Sequence, residues 1–209
     1  MTTERTRPTP VPAMPATRTR TRDPERKRRI LDAAADLVAR NGFSSVSMED
    51  IGGAVGISAS AIYRHYDSKT AVLVAMFDRV IDRLLGEGQQ FAGDPGADPR
   101  DALRQLVDGQ ITFVVDERDI AQVYYREIAN LPEADRRRLR RKQRLYLEDW
   151  VHLLTELRPD LDDFAARTTV HCAIGAIQST LQHSAGLPAD RLRDLLRRSA
   201  MAVLAAKPD

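Results

Sequence analysis

The sequence predicts an all-α protein with a small N-terminal head and a larger C-terminal helical bundle. Three observations carry this. Apolar residues recur at spacings of three and four over most of the 209 residues, the period of a helix with one buried face. Val/Ile/Thr runs with strict alternation are absent and aromatics make up only 5%, which disfavours a sheet. Proline and glycine clusters cut the chain into helix-sized pieces.

The elements follow in order. Residues 1–22 are Thr, Pro and Arg with almost no large apolar side chain. Such a segment cannot bury enough surface to offset its ordering entropy, so a disordered basic arm is expected. It serves either as a solubilising tail or as a supplementary contact to DNA. Residues 1–29 hold nine basic and three acidic side chains, a net +6 in a chain whose total is +2. Positive charge gathered at one end suits a polyanionic partner. Asp23-Pro24-Glu25 is a good helix start, with a capping Asp, Pro at the first position and an acid near the positive helix end. Ile30, Leu31, Ala34, Leu37 and Val38 share one face. Asn41-Gly42 stops this helix.

A helix-turn-helix is expected at 47–66. Ser47 is a good N-cap, and Asp50 three residues later resembles a capping box. Ile51 and Val55 face inward, Gly56 allows a sharp turn, and Ser58 caps a second short helix. Ile62 and Tyr66 point to a core, leaving Ser60, Ala61 and Tyr63 more exposed. In this motif the second helix enters the major groove of DNA. Small residues at Ala59, Ser60 and Ala61 allow close backbone approach. Tyr63, His65 and Lys69 can reach flanking phosphates, although His65 is also compatible with an ordinary surface role.

Leu73, Met76, Phe77, Val80, Ile81, Leu84 and Leu85 make a stripe that predicts a helix over 68–90. The stretch 93–99 is a clear break. Helices are then expected near 100–116, 118–130, 133–157, 160–185 and 188–206, with Pro132, Pro159 and Pro188 at or near three of the starts.

The run from Gly42-Phe43 through Asp50-Ile51, Ala54, Val55-Gly56-Ile57-Ser58, Ala61-Ile62-Tyr63-Arg64-His65-Tyr66 and Ser68-Lys69 resembles the signature of the TetR/AcrR family of repressors. Gly52 and Gly53 depart from the Ala usual there, at roughly 1 kcal/mol each in a helix interior. The resemblance implies a three-helix DNA-binding head at 23–66 and a ligand-binding, dimerising bundle at 67–209. It maps Ser58, Ser60, Ala61 and Tyr63 onto groove-facing positions, and Ser47, Tyr63, His65 and Lys69 onto phosphate-contacting ones. It also implies that the last two helices pair with their symmetry mates, where an intrachain core is the alternative. The helix at 160–185 offers Leu161, Phe164, Ala165, Thr168, Cys172, Gly175, Gln178 and Leu181 as a stripe. The last helix offers Leu192, Leu195, Leu196, Val203 and Leu204.

Phe113, Tyr124, Tyr125, Tyr146, Trp150, His171 and Gln178 lie on the helices that enclose ligand in that family. Each is a candidate pocket residue or plain core. Arg136, Arg137, Arg138, Arg140, Arg141, Lys142 and Arg144 form a basic run, either a solvated face or a site for an acidic headgroup. Together with 125–132, it looks like the bundles of family members tied to fatty-acid metabolism, which makes a fatty acid or acyl-CoA the expected effector.

Other function classes find less support. Cys172 is the only cysteine, so neither an internal disulfide nor a Cys-x-x-Cys zinc site is possible. No bound metal or cofactor is expected, and a reducing, cytoplasmic setting is. No apolar stretch approaches the roughly 20 residues that span a bilayer. A Gly-x-Ser-x-Gly, a phosphate-binding loop and a dinucleotide fingerprint are all absent. The expected function is a non-enzymatic, dimeric repressor that binds a palindromic double-stranded operator and is released by a small molecule. The alternative is an all-α ligand-binding protein or enzyme without DNA function, which would have no need of the head.

Overall fold

The computed structural model describes residues 24–92, 96, 98–183 and 186–207. The expected arm at 1–22 and the Asp23 cap lie outside them. The described residues form nine α-helices and no strand. Helix α1 (Pro24–Asn41) buries Ile30, Leu31, Ala34, Ala35 and Val38 and stops at Gly42, whose φ of 78° is left-handed. Helices α2 (Met48–Val55) and α3 (Ala59–Tyr63) pack against each other, and α2 packs on α1. Ile51, Ile62 and Tyr66 close this small core as expected.

Helix α4 (Lys69–Ala92) runs from the head into the bundle. Its stripe from Val72 to Leu84 is buried along most of its length. Helix α5 (Pro99–Val115) starts on Asp98, which accepts from the Arg100 N–H at 2.9 Å, with Pro99 at the first position. It is the central post of the bundle. It touches α4, α6 (Arg118–Glu127), α7 (Glu133–Leu157), α8 (Asp163–Gln178) and α9 (Ala189–Ala205).

Two of the expected helices are shorter than their apolar pattern. The segment 118–130 tightens into a 3₁₀ turn at Ile128–Asn130, because Pro132 disfavours a helical Leu131 before it. The segment 160–185 begins only after Asp162, whose carboxylate accepts from the Ala165 N–H at 2.8 Å. It passes into 3₁₀ at Ser179–Leu181, where the Ser179 and Thr180 hydroxyls bond back to the carbonyls of Ala176 and Ile177. Ala61 differs from expectation too. It is buried against the head core, because the short α3 lies flat on α2.

One apolar core continues from Ile30 in the head to Leu204 in α9. Phe77 on α4 is fully buried and meets Tyr124 of α6 edge-on at 4.8 Å. Burial of a side chain of that size contributes roughly 1.5–3 kcal/mol. Helix α1 packs on both α4 and α6, so the head rests on two helices of the bundle.

Candidate DNA-binding face and effector cavity

The head shows why these residues build a helix-turn-helix. Ser47 and Asp50 form a reciprocal capping box. The Ser47 hydroxyl accepts from the Asp50 N–H at 3.1 Å, and the Asp50 carboxylate accepts from the Ser47 N–H at 2.8 Å. These bonds hold the Asp50 carboxyl below the usual carboxylate range. Gly56 takes φ 69°, and its N–H reaches the carbonyls of Gly52 and Gly53. A β-carbon at Gly52 would lie 2.6 Å from the Ile57 carbonyl oxygen, whereas one at Gly53 would meet nothing within 4 Å. The turn therefore brings the backbone of residue 57 onto position 52 at glycine distance.

The candidate DNA residues fall into three groups. Ser60 and Tyr63 on α3 are exposed together with Ser58 just before it, Tyr63 to 49%. Ser58 has the extended backbone of an N-cap, but its hydroxyl sits 2.9 Å from the Ser60 hydroxyl and makes no capping bond. Ala59 and His65 are half-buried, and Ala61 lies beneath them. Lys69 and Ser47 are held by the head itself. The Lys69 ammonium donates to the Phe43 and Ser44 carbonyls at 2.8 and 3.3 Å and stands 4.5 Å over the Phe43 ring. Lys69 thus ties the start of α4 to the loop after α1. Arg64, exposed beside Tyr63, was not singled out by the sequence pattern.

The bundle holds a cavity of about 490 Å³. Helix α4 lines it with Val80, Ile81 and Leu84, and α5 with Gln110 and Phe113. Tyr124 and Tyr125 come from α6, and His171, Ile174 and Gln178 from α8. Six of the seven candidate pocket residues therefore meet in one place. Trp150 is the correction. It is fully buried and packs edge-on against Tyr146 at 6.0 Å, behind the wall rather than in it.

The remaining wall comes from the basic helix. Arg140, Gln143, Arg144 and Leu147 of α7 line the cavity together with Tyr146. Their i, i+3, i+4, i+7 spacing is the signal that could have picked them out of the run. The basic run divides by partner. Arg138 donates to Asp78 at 2.5 Å, and Lys142 bridges Asp78 and Asp82 at 2.9 and 2.5 Å. Arg136 and Arg137 pair with Glu133. Arg140 and Arg144 form no ion pair with a described residue and stay exposed at the cavity edge. Burial pushes the phenols of Tyr124, Tyr125 and Tyr146 up, so all three remain neutral donors near pH 7. Among the described residues, no group of His, Cys, Asp and Glu is placed to hold a metal ion, and no helix is long and apolar enough to cross a membrane.

An exposed apolar face remains on α8 and α9. Phe164 is 81% exposed, with Thr168, Cys172 and Gly175 above it, and Leu195 stands out on α9. These residues belong to the expected stripe of α8, but they point away from the core formed by Ala166, Val170, Ala173 and Ile177.

Comparison with known proteins gives two profile matches. Residues 30–76 match the profile described as bacterial regulatory proteins of the tetR family. Residues 96–184 match the tetracyclin repressor-like C-terminal domain. The transcriptional repressor KstR2 of Rhodococcus jostii is 28% identical over 111 residues, 53% of this chain and 54% of that protein. The chain thus aligns with about half the length of this curated relative. A TetR-family regulator from Bordetella parapertussis superposes with a TM-score of 0.73 at 29% identity, covering 86% of this chain and 94% of that one. The regulator FadR of Bacillus subtilis, solved in complex with stearoyl-CoA, superposes with a TM-score of 0.71 at 17% identity, over 85% and 97% of the two chains.

Proposed function

The chain belongs to the TetR family of bacterial regulatory proteins, and from that premise we propose that it is a dimeric transcriptional repressor released from a palindromic operator by an amphiphilic acid. One observation carries the coupling between the two activities. Helices α4 and α6, which wall the cavity, are also helices on which α1 of the head rests. A ligand that prefers a different setting of these helices shifts the spacing of the two recognition helices in a dimer, and only that preference can release DNA.

The DNA face proposed is α3, with Ser58, Ser60 and Tyr63 toward the groove and Arg64 and His65 toward phosphates. Ser47 and Lys69 reach phosphates only with whatever donors their head contacts leave over. Dimerisation is assigned to the exposed face of α8 and α9. Arg140 and Arg144 at the cavity edge suit an anionic group. The stearoyl-CoA held by a protein of the same fold makes acyl-CoA the first effector to titrate.

The test begins with selection of duplex DNA from a random pool by the purified chain. It should yield two half-sites related by a two-fold axis. Titration of that complex with palmitoyl-CoA and palmitate, followed by fluorescence anisotropy, should release the DNA. A pool that enriches no sequence refutes the DNA function, and an unmoved complex refutes the acyl effector.

A further inference from the structure

The cavity has two buried polar stations, and the proposed effector accounts for only one. The first is at the Arg140 end. There the Tyr124 hydroxyl is buried without a hydrogen-bond partner and feels the charge of Arg140. An anion at Arg140 and Arg144 would satisfy it. The second lies further along α7. Gln110 of α5, only 3% exposed, is the one buried amide or charged side chain among the described residues. Its carbonyl oxygen lies 3.4 Å from the Tyr146 hydroxyl, while its amide nitrogen donates to no described residue. Tyr146 is six residues beyond Arg140 on α7, about 9 Å at the rise of a helix. Val80, Ile81, Leu84 and Phe113 give the cavity an apolar wall.

Resting on the reading of this cavity as the effector site, we infer that the effector carries oxygen at both ends. Its anionic group meets Arg140, Arg144 and Tyr124, and a hydroxyl or carbonyl oxygen at the far end of an apolar body accepts from the Gln110 amide. An unsubstituted acyl chain would place a methyl group against that amide and close it off from water, which costs the full desolvation of the donor. A site built to hydrogen-bond a group discriminates against the analogue lacking it more sharply than an apolar slot discriminates by size.

The experiment compares octanoate with 8-hydroxyoctanoate, whose extended length of about 10 Å matches the separation of the two stations, by titration calorimetry on the purified full chain. The hydroxy acid should bind about tenfold more tightly. In Gln110→Leu, with folding checked by thermal melting, that ratio should fall to about one. Gln110→Met, which keeps the side chain's length but removes the amide donor, should lower the ratio in the same way and serves if the leucine variant does not fold. Arg140→Ala should weaken both acids alike. Equal affinity of the two acids for the unaltered chain, or a preference that survives Gln110→Leu, overturns the distal oxygen and leaves the anionic effector standing. Binding of neither acid overturns the anionic effector and this inference with it.

Discussion

At the scale of the residue, adjacent glycines have opposite meanings. Gly53 faces open space, so Gly53→Ala should stabilise the chain by up to about 1 kcal/mol, the ordinary helix propensity gain. Gly52→Ala drives a β-carbon against the Ile57 carbonyl oxygen at 2.6 Å and should destabilise by more than that gain. Denaturant midpoints of the two variants check the pair. The sequence shows only that both are glycines inside a helix. The difference arises from the path of the chain after Gly56, which no local pattern records. Asp149 gives a prediction with pH. Its Oδ2 is buried with no partner and burial pushes its carboxyl up. A carboxyl whose folded value is raised weakens the fold where it must ionise, above that raised value, and has no effect below the unfolded one. Asp149→Asn should therefore raise the melting temperature at pH 7, with the gain vanishing toward pH 3. A gain equal at both pH values would contradict the assignment. At Tyr63 sequence and structure lead to the same place: a half-exposed ring on a helix that otherwise offers small residues. Tyr63→Ala should weaken operator binding by roughly tenfold, on the order of 1–2 kcal/mol for a groove contact, and leave the dimer unchanged by sedimentation.

At the scale of the element, the long helices were legible because a stripe of three-and-four spacing is a property of one segment. What that stripe faces is not. The pattern on α8 reads as one surface from Leu161 to Leu181. In the fold it serves three neighbours: the core, the cavity through Gln178, and an exposed apolar strip through Phe164, Thr168 and Cys172. Phe164→Glu should shift the chain from dimer to monomer in light scattering, since a charge placed in a dimer seam is desolvated without a partner. The basic run of α7 is resolved the same way. Seven cations looked alike in the sequence, and α4 sorts them by presenting Asp78 and Asp82 to two of them. These pairs are exposed or half-exposed, so each contributes little to stability. Asp78→Asn, which leaves only the Lys142–Asp82 pair of them, should therefore move the melting temperature by only a few degrees at most.

At the scale of the whole molecule, the head and the bundle share one core, with α1 of the head packed on α4 and α6. Thermal unfolding should therefore show a single transition by calorimetry and by circular dichroism. A separate early transition of the head would mean that the junction carries little energy. The architecture was legible from the order of helices and their breaks. The cavity was legible as a set of aromatic positions together with His171 and Gln178. Of its other polar members, Gln110 and Gln143 could not be told from surface residues, nor Arg140 and Arg144 from the rest of the basic run, until five helices had been set around them.

The Lys69 clasp bears on how such a protein can change over generations. Its ammonium holds the carbonyls of Phe43 and Ser44, so the side chain that sets the origin of α4 also sets the loop that presents α2. Ser60 and Tyr63 are exposed and take no part in that clasp, so a lineage is free to change them. A substitution at Lys69 would loosen the origin of α4 and that loop at once, so that position should be among the slowest to diverge.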